Sequence, residues 1–302
     1  MNRKSDPQSR SGGLPYALGA YFMWGLIPLY IVQLNGVDPF RLVAWRVVWT
    51  IPICVAVLAV TGEFGKMKAA LTNRTALGLL ATSAALISLN WTVYVAAVQA
   101  GAFYAASLGY YINPLINVVI GTVFLGERLS RLQWLAVAVA ALGIGILAFA
   151  AAATLYISLT LALSFGFYGL VRKKVHVDAL PGLTVEVLLI APIACAGLWL
   201  IPVTTRDFTS DASTALLLVG AGAITGVPLL LFATAARRMT YSALGFTQFM
   251  APTMVFLCGL LIFREELKQA QLACFILIWF AVALFCADIM RRGRRTPPSA
   301  RI

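Results

Sequence analysis

The chain has 302 residues, of which 61% are hydrophobic and only 11% charged. A soluble domain carries about 25% charged residues, so this composition excludes a water-facing fold and makes lipid the solvent. The net charge is +12, from 23 Lys and Arg against 11 Asp and Glu. The basic residues form small clusters between apolar runs, which is the pattern of membrane-flanking loops. No nucleic-acid partner is expected; the bilayer is the expected surrounding.

A spanning helix needs about 20 apolar residues. After a polar, disordered segment over 1–13, the chain reads as ten such runs: 14–34, 39–60, 76–98, 103–125, 132–150, 153–171, 182–202, 214–236, 241–263 and 270–290. A basic tail over 291–302 follows. No charged residue occurs from Leu132 to Val171. At about 1.5 Å per residue a single helix of that length would overshoot the bilayer nearly twofold, so the run is divided near 150–154. The fold class is therefore an all-α membrane protein of ten transmembrane helices.

Counting basic residues sets the orientation. With the N-terminus inside, 18 of the 23 Lys and Arg fall on the cytoplasmic side. Arg41, Arg46, Arg206, Arg264 and Lys268 fall elsewhere. Both termini are expected in the cytoplasm.

The chain also repeats itself. Pro114, Glu127, Leu129 and Gln133 recur as Pro252, Glu265, Leu267 and Gln271, at a constant offset of 138. The repeats are assigned to 14–150 and 153–290. Five helices, an odd number, place the two halves in opposite orientations, a recurring plan of secondary transporters.

Polar groups in hydrocarbon are costly and face the bundle interior. The fourth run carries Ser107, Tyr110, Asn113, Asn117 and Gly121 at spacings of three and four, so they share one helix face. The ninth carries Tyr241, Gly245 and Gln248. Proline removes a backbone donor and frees the carbonyl one turn earlier, here at Tyr110 (Pro114) and Gln248 (Pro252). The candidate substrate-binding set is Trp24, Asn90, Trp91, Tyr110, Tyr111, Asn113 and Gln248. The bland alternative is interhelical glue, and Gly222-x3-Gly226 and Gly143-x-Gly145 are assigned to such packing. Arg46 and Glu186 are ionisable residues inside the second and seventh runs. Either one snorkels or it serves coupling or gating, and proton coupling is one such role. They stand roughly 15 Å apart along the normal, too far for a direct salt bridge.

Enzyme signatures are missing: no HExxH, GxSxG or P-loop occurs. His176, in the basic stretch after Lys174, is the only histidine, and the five cysteines lie in apolar runs without a CxxC. No cofactor, metal site, disulfide or catalytic residue is expected.

These motifs resemble the RarD family, in the EamA branch of the drug/metabolite transporter superfamily. The similarity lies in Ala106–Leu115, Phe124–Arg128, Gln133–Val137, Ser164–Lys174 and Leu244-Gly245-Phe246-x-Gln248-x3-Pro252-Thr253. Trp24-Gly25, Arg46-x2-Trp49, Asn90-Trp91 and Glu186 also fit. Where that family has His-Arg in the second helix, this chain has Trp45-Arg46. The resemblance implies ten helices in two five-helix repeats in a bacterial inner membrane. It also implies transport of a small metabolite or drug. The leading function is a secondary transporter, an efflux permease with a midplane site between the repeats, acting as monomer or homodimer. A flippase for a lipid-linked carrier and a membrane-embedded enzyme are the alternatives.

The topology is tested by fusion: alkaline phosphatase joined after Phe208 is expected to be active, and joined after Lys174 inactive. The reverse pattern overturns the orientation.

Overall fold

The computed structural model describes residues 12–100, 102–150, 154–203, 206–262 and 269–295. Glu265 and Leu267 of the repeat, Arg264, Lys268 and the tail segments 1–11 and 296–302 lie outside these residues; the first part of the expected basic tail, to Arg295, continues the last helix. Among those described, the chain is helical apart from turns and short connections. In order the helices are α1 (Leu14–Ile31), α2 (Pro39–Thr61), α3 (Phe64–Thr72), α4 (Arg74–Gln99), α5 (Phe103–Leu125) and α6 (Arg131–Ala150). Then follow α7 (Leu155–Lys174), α8 (Ala179–Leu200), α9 (Ala212–Arg238), α10 (Tyr241–Gln248), α11 (Met250–Leu261) and α12 (Gln269–Arg295). Nine of the described helices are long and apolar enough to cross a membrane.

The boundaries have local causes. The Asp38 carboxylate accepts from the amides of Phe40 and Arg41 at 2.9 and 3.0 Å, and Pro39 occupies the first turn, where a missing donor costs nothing. Asp211 caps α9 in the same way, through the Thr214 amide at 2.8 Å. Ser130 and Gln133 exchange hydrogen bonds of 3.0 Å ahead of α6, a capping box. α2 and α5 stop at Gly62 and Gly126, with φ of 69° and 64°, the left-handed conformation that glycine adopts without strain.

Three features differ from the expected spans. The polar stretch after α2 contains a helix, α3, too short to cross. It lies against the ends of α4 and α8 through Ala70, which packs with Leu80, Val175 and Val185. α7 runs on through Arg172–Lys174, so these basic residues belong to a helix rather than a loop. The expected span 241–263 is divided at Phe249 into α10 and α11. Phe249 keeps helical dihedrals (φ −58°, ψ −16°) while its amide turns back to Phe246 O. Pro252 has no N–H to offer Gln248 O, and the ladder tightens there.

The extensive helix pairings are α1 with α9 and α11, α2 with α8 and α9, α4 with α7 and α8, α5 with α7 and α10, and α6 with α12. That set is unchanged when α1, α2, α4, α5 and α6 are exchanged in order for α7, α8, α9, α10–α11 and α12.

Close approach depends on glycine. A Cβ on Gly222 would lie 2.4 Å from the Trp49 carbonyl carbon, and one on Gly245 2.7 Å from Pro114 O. Gly143 is tight against Leu277, whereas a Cβ on Gly145 would meet nothing within 4 Å. Of the two glycines assigned to packing in α6, only Gly143 packs. Gly222→Ala is accordingly expected to destabilise the bundle by about 1–3 kcal/mol, and Gly145→Ala to be neutral or slightly stabilising. Thermal melting of both variants in detergent checks this.

Candidate functional site

The helix ends near Leu14, Leu125, Lys174, Arg238 and Arg295 share one face of the bundle, called here the terminal face; the end of α8 and the start of α9 lie on the other. Working inward from that other face, Arg46 lies about 10 Å along α2 from Pro39. Its Nε donates to Thr225 Oγ1 of α9 at 2.7 Å. Its guanidinium carbon sits 5.5 Å from the ring centroid of Trp91 on α4, within cation–π range. Tyr94 and Tyr110 meet edge to face at 5.9 Å and lie close enough to Arg46 to interact electrostatically. Tyr94 and Tyr110 keep 36% and 44% of their surface accessible, and Arg46 beside them is half-buried. A partly accessible guanidinium within an apolar run is better served by an opening between the helices than by a lipid face.

One and two turns deeper on the same face of α5 stand Asn113 and Asn117, both buried. Asn117 Nδ2 donates to Gln248 Oε1 of α10 at 2.8 Å. The Oδ1 atoms of Asn113 and Asn117 have no hydrogen-bond partner among the described residues. A buried acceptor left unpaired costs free energy, so these amides mark a polar seam where α5 and α10 touch.

Towards the terminal face the interior is closed. Trp24 of α1 packs with Tyr21, Phe165 and Phe232 at centroid separations of 5.5–5.6 Å. Phe232 stacks on Tyr168 at 6.0 Å, and the Tyr241 hydroxyl donates to Gly166 O at 2.5 Å. Beside this aromatic layer lies an ion pair. Arg172 and Glu186 are 0% and 1% exposed, with Nη1 3.5 Å from Oε1. Ser83 donates to the same Glu186 oxygen, and Arg172 Nη2 donates to Ala179 O at 2.9 Å. The guanidinium lies against Gly182, where a Cβ would come within 2.1 Å of Nη1. Glu127, just after α5, accepts from the Ser242 amide at 2.9 Å and from the Tyr241 amide. A carboxylate is thereby set on the positive end of α10.

The opposite face has its own tie. Arg41 Nε donates to Asp207 at 3.0 Å, Trp45 Nε1 does so at 2.8 Å, and Phe208 stacks on Trp45 at 4.7 Å. Burial alone would raise the Asp207 carboxyl. The hydrogen bonds from Arg41 and Trp45 outweigh it and hold that group below the usual carboxylate range.

Comparison with known proteins decides the family. The EamA-like transporter family profile matches residues 11–149. An uncharacterized transporter of Pseudomonas aeruginosa is 44% identical over 289 residues, covering 93% of this chain and 96% of its own length. Protein RarD of Escherichia coli is 38% identical over 293 residues, covering 96% and 99%. The chain belongs to the RarD family of EamA-like transporters. A further relative, the chloramphenicol-sensitive protein RarD of Pseudomonas aeruginosa, is 31% identical over 287 residues. A solved crystal structure superposes with a TM-score of 0.75 at 18% identity, covering 91% of this chain and 97% of that one, a likeness of fold alone. This RarD-family chain is therefore a multi-pass membrane transporter of the drug/metabolite kind.

Within the family fold, the predicted residues occupy distinct places. Trp91 and Tyr110 stand at the opening with Arg46. Asn113 and Gln248 lie at the α5–α10 seam, and Trp24 lies in the aromatic layer. Asn90 donates to Leu161 O and Ser164 Oγ at 2.8 and 3.0 Å, so its amide is committed to α7. Tyr111 is partly buried against the apolar cluster to which α5, α6, α10 and α12 contribute. Arg46 and Glu186 do not meet, as expected, and Glu186 does not snorkel: it is paired. Its partner was hidden in the sequence because Arg172 opens an Arg-Lys-Lys run that reads as solvated. Thr225 and Tyr168 carry no signal in a single sequence.

Removing one member of a buried ion pair costs about 3–5 kcal/mol, whereas replacing both by apolar groups is often neutral. Arg172→Met or Glu186→Met alone is expected to lower the melting temperature in detergent. The Arg172→Met/Glu186→Met double variant is expected to recover most of the loss. An additive double variant would show that the two charges do not act as a pair.

Proposed function

We propose that this RarD-family chain is a secondary transporter working by alternating access. It moves a small metabolite or drug outward across a bacterial inner membrane, with both termini in the cytoplasm. What supports the reading is a contrast between the two halves of the interior: accessible surface on Tyr94 and Tyr110 beside half-buried Arg46, against close packing at the Tyr21, Trp24, Phe165, Tyr168 and Phe232 layer. Such a molecule is caught facing one side, and its partner state opens the aromatic layer while closing the tyrosines. The exchange of helix pairings between 14–150 and 153–290 supports two inverted repeats, and rocking of one against the other is the movement such repeats perform. The substrate path then follows the polar face of α5, from Tyr110 past Asn113 to Gln248. The unpaired amide oxygens of Asn113 and Asn117 supply acceptors there. Glu186 is the candidate coupling carboxylate, because it is the acid beside the aromatic layer and its pairing with Arg172 can be traded for a proton.

A recess of about 230 Å³ between α4 and α7, lined by Leu86, Leu89, Leu163 and Phe167 together with Thr160 and Ser164, favours a second reading. A laterally open apolar groove suits an acyl chain, as a flippase for a lipid-linked carrier would need.

In a background lacking the native cysteines, Cys at Tyr110 is expected to react with a membrane-impermeant thiol reagent only from the side opposite the termini. Cys at Phe232 is expected to react only from the terminal side. Pre-reaction at one position with a bulky reagent should suppress the other. Access to Tyr110 from neither side, or to both positions from the same side, rules the mechanism out.

A further inference from the structure

Arg46 is a cation in a membrane-spanning helix and has no acidic partner among the described residues. The elements packed against it contribute Thr225 from α9, Trp91 and Tyr94 from α4, and Tyr110 from α5. None is acidic. The other arginines of the described bundle interior and its outer edge are accounted for: Arg41 by Asp207, Arg172 by Glu186, and Arg206 by Asp211. Arg46 spends only its Nε, on a neutral hydroxyl, and its two terminal nitrogens meet no hydrogen-bond partner among the described residues. A charge in the hydrocarbon region is expensive unless paired, and a guanidinium offers its terminal donors as a fork matching a carboxylate. The guanidinium lies beside the ring of Trp91 and the accessible rings of Tyr94 and Tyr110.

We propose that Arg46 is the substrate-recognition residue of this opening and that the substrate class is an organic monoanion: an aromatic or otherwise apolar carboxylate. This rests on the transport reading above and narrows it. The carboxylate takes the terminal nitrogens of Arg46, the hydroxyls of Tyr94 and Tyr110 stand by as further donors, and the rings of Trp91, Tyr94 and Tyr110 enclose the apolar part. Thr225 is a positioning residue, since its Oγ1 accepts from Nε and aims the fork. A single cation neutralises a single charge, so a phosphate dianion is under-matched. A zwitterion would bring an ammonium group to a site that already holds a cation and, among the described residues, no carboxylate.

The test uses the full chain in phosphatidylcholine liposomes, in a background lacking the native cysteines, with a reporter Cys at Ser107. That residue is exposed on α5, one turn outward of Tyr110. The probes are phenylacetate and phenylacetamide, which match in shape and differ in charge. Phenylacetate is expected to slow labelling of the reporter, and phenylacetamide to leave it unchanged. A hydrogen-bonded charge is strong enough that Arg46→Gln should weaken phenylacetate protection by about tenfold to a hundredfold. Arg46→Lys, which keeps the charge without the fork, should retain part of it, and Thr225→Val should lose a smaller part. The unliganded labelling rate of each variant reports whether the opening is still formed. Equal protection by the amide, or protection that survives Arg46→Gln, overturns the proposal while leaving the transport reading standing. A reporter that never reacts overturns both. Protection by phosphatidylglycerol added to the liposomes without phenylacetate overturns the proposal too, because the anion is then a lipid headgroup.

Discussion

Lipid offers no hydrogen bonds, and that single constraint shapes the molecule. Every backbone group must be satisfied within its own helix or by a neighbour. Hydroxyls obey the same rule by turning back on the chain: Thr50, Thr82, Thr160, Thr184, Thr225 and Thr253 each donate to the carbonyl four residues earlier. Charges obey it by pairing, as Arg41 with Asp207 and Arg172 with Glu186. Among the described residues, Arg46 meets this demand only in part, through a neutral hydroxyl and an aromatic face.

The two buried ion pairs sit at opposite faces and do different structural work. Arg41 and Asp207 tie the start of α2 to the connection between α8 and α9. Arg172 and Glu186 join α7 to α8, with Ser83 bringing in α4. Trading such pairs for apolar contacts need not cost stability, so their presence fixes which helix faces which neighbour. The aromatic layer beside the second pair is non-directional by comparison. Its rings meet in tilted and edge contacts, which set no single partner or register.

Much of the fold was legible because hydrophobic length is a strong signal in a chain of this kind. Helix ends fell within a few residues of the expected limits, and Asp38, Gly62 and Gly126 announce theirs through capping chemistry. Other features were not legible, each for a physical reason. α3 is too short and polar to register as a span, and its one buried anchor, Ala70, is a residue common everywhere. The division at Phe249 needs both Pro252 and its packing environment, since Pro114 bends no comparable break into α5. For the site, residue type pointed to Trp91, Tyr110 and Arg46, but helical periodicity in a helix buried on several sides does not say which neighbour a side chain meets. Asn90 and Tyr111 therefore looked alike to Asn113 in sequence and face other helices in space. Arg172 was read as solvated because a basic run at a helix end usually is.

Gly245 against the Pro114 carbonyl has a mechanical consequence. The backbones of α5 and α10 touch there without an intervening side chain, near the middle of α5. The contact is one of a series: Gln248 meets Asn117, Ser242 meets Gly121, and Glu127 holds the start of α10. The two helices are zipped along the whole length of α10, and a side chain at 245 would lever their axes apart at every one of these ties, so one missing methyl group sets the spacing of the entire seam.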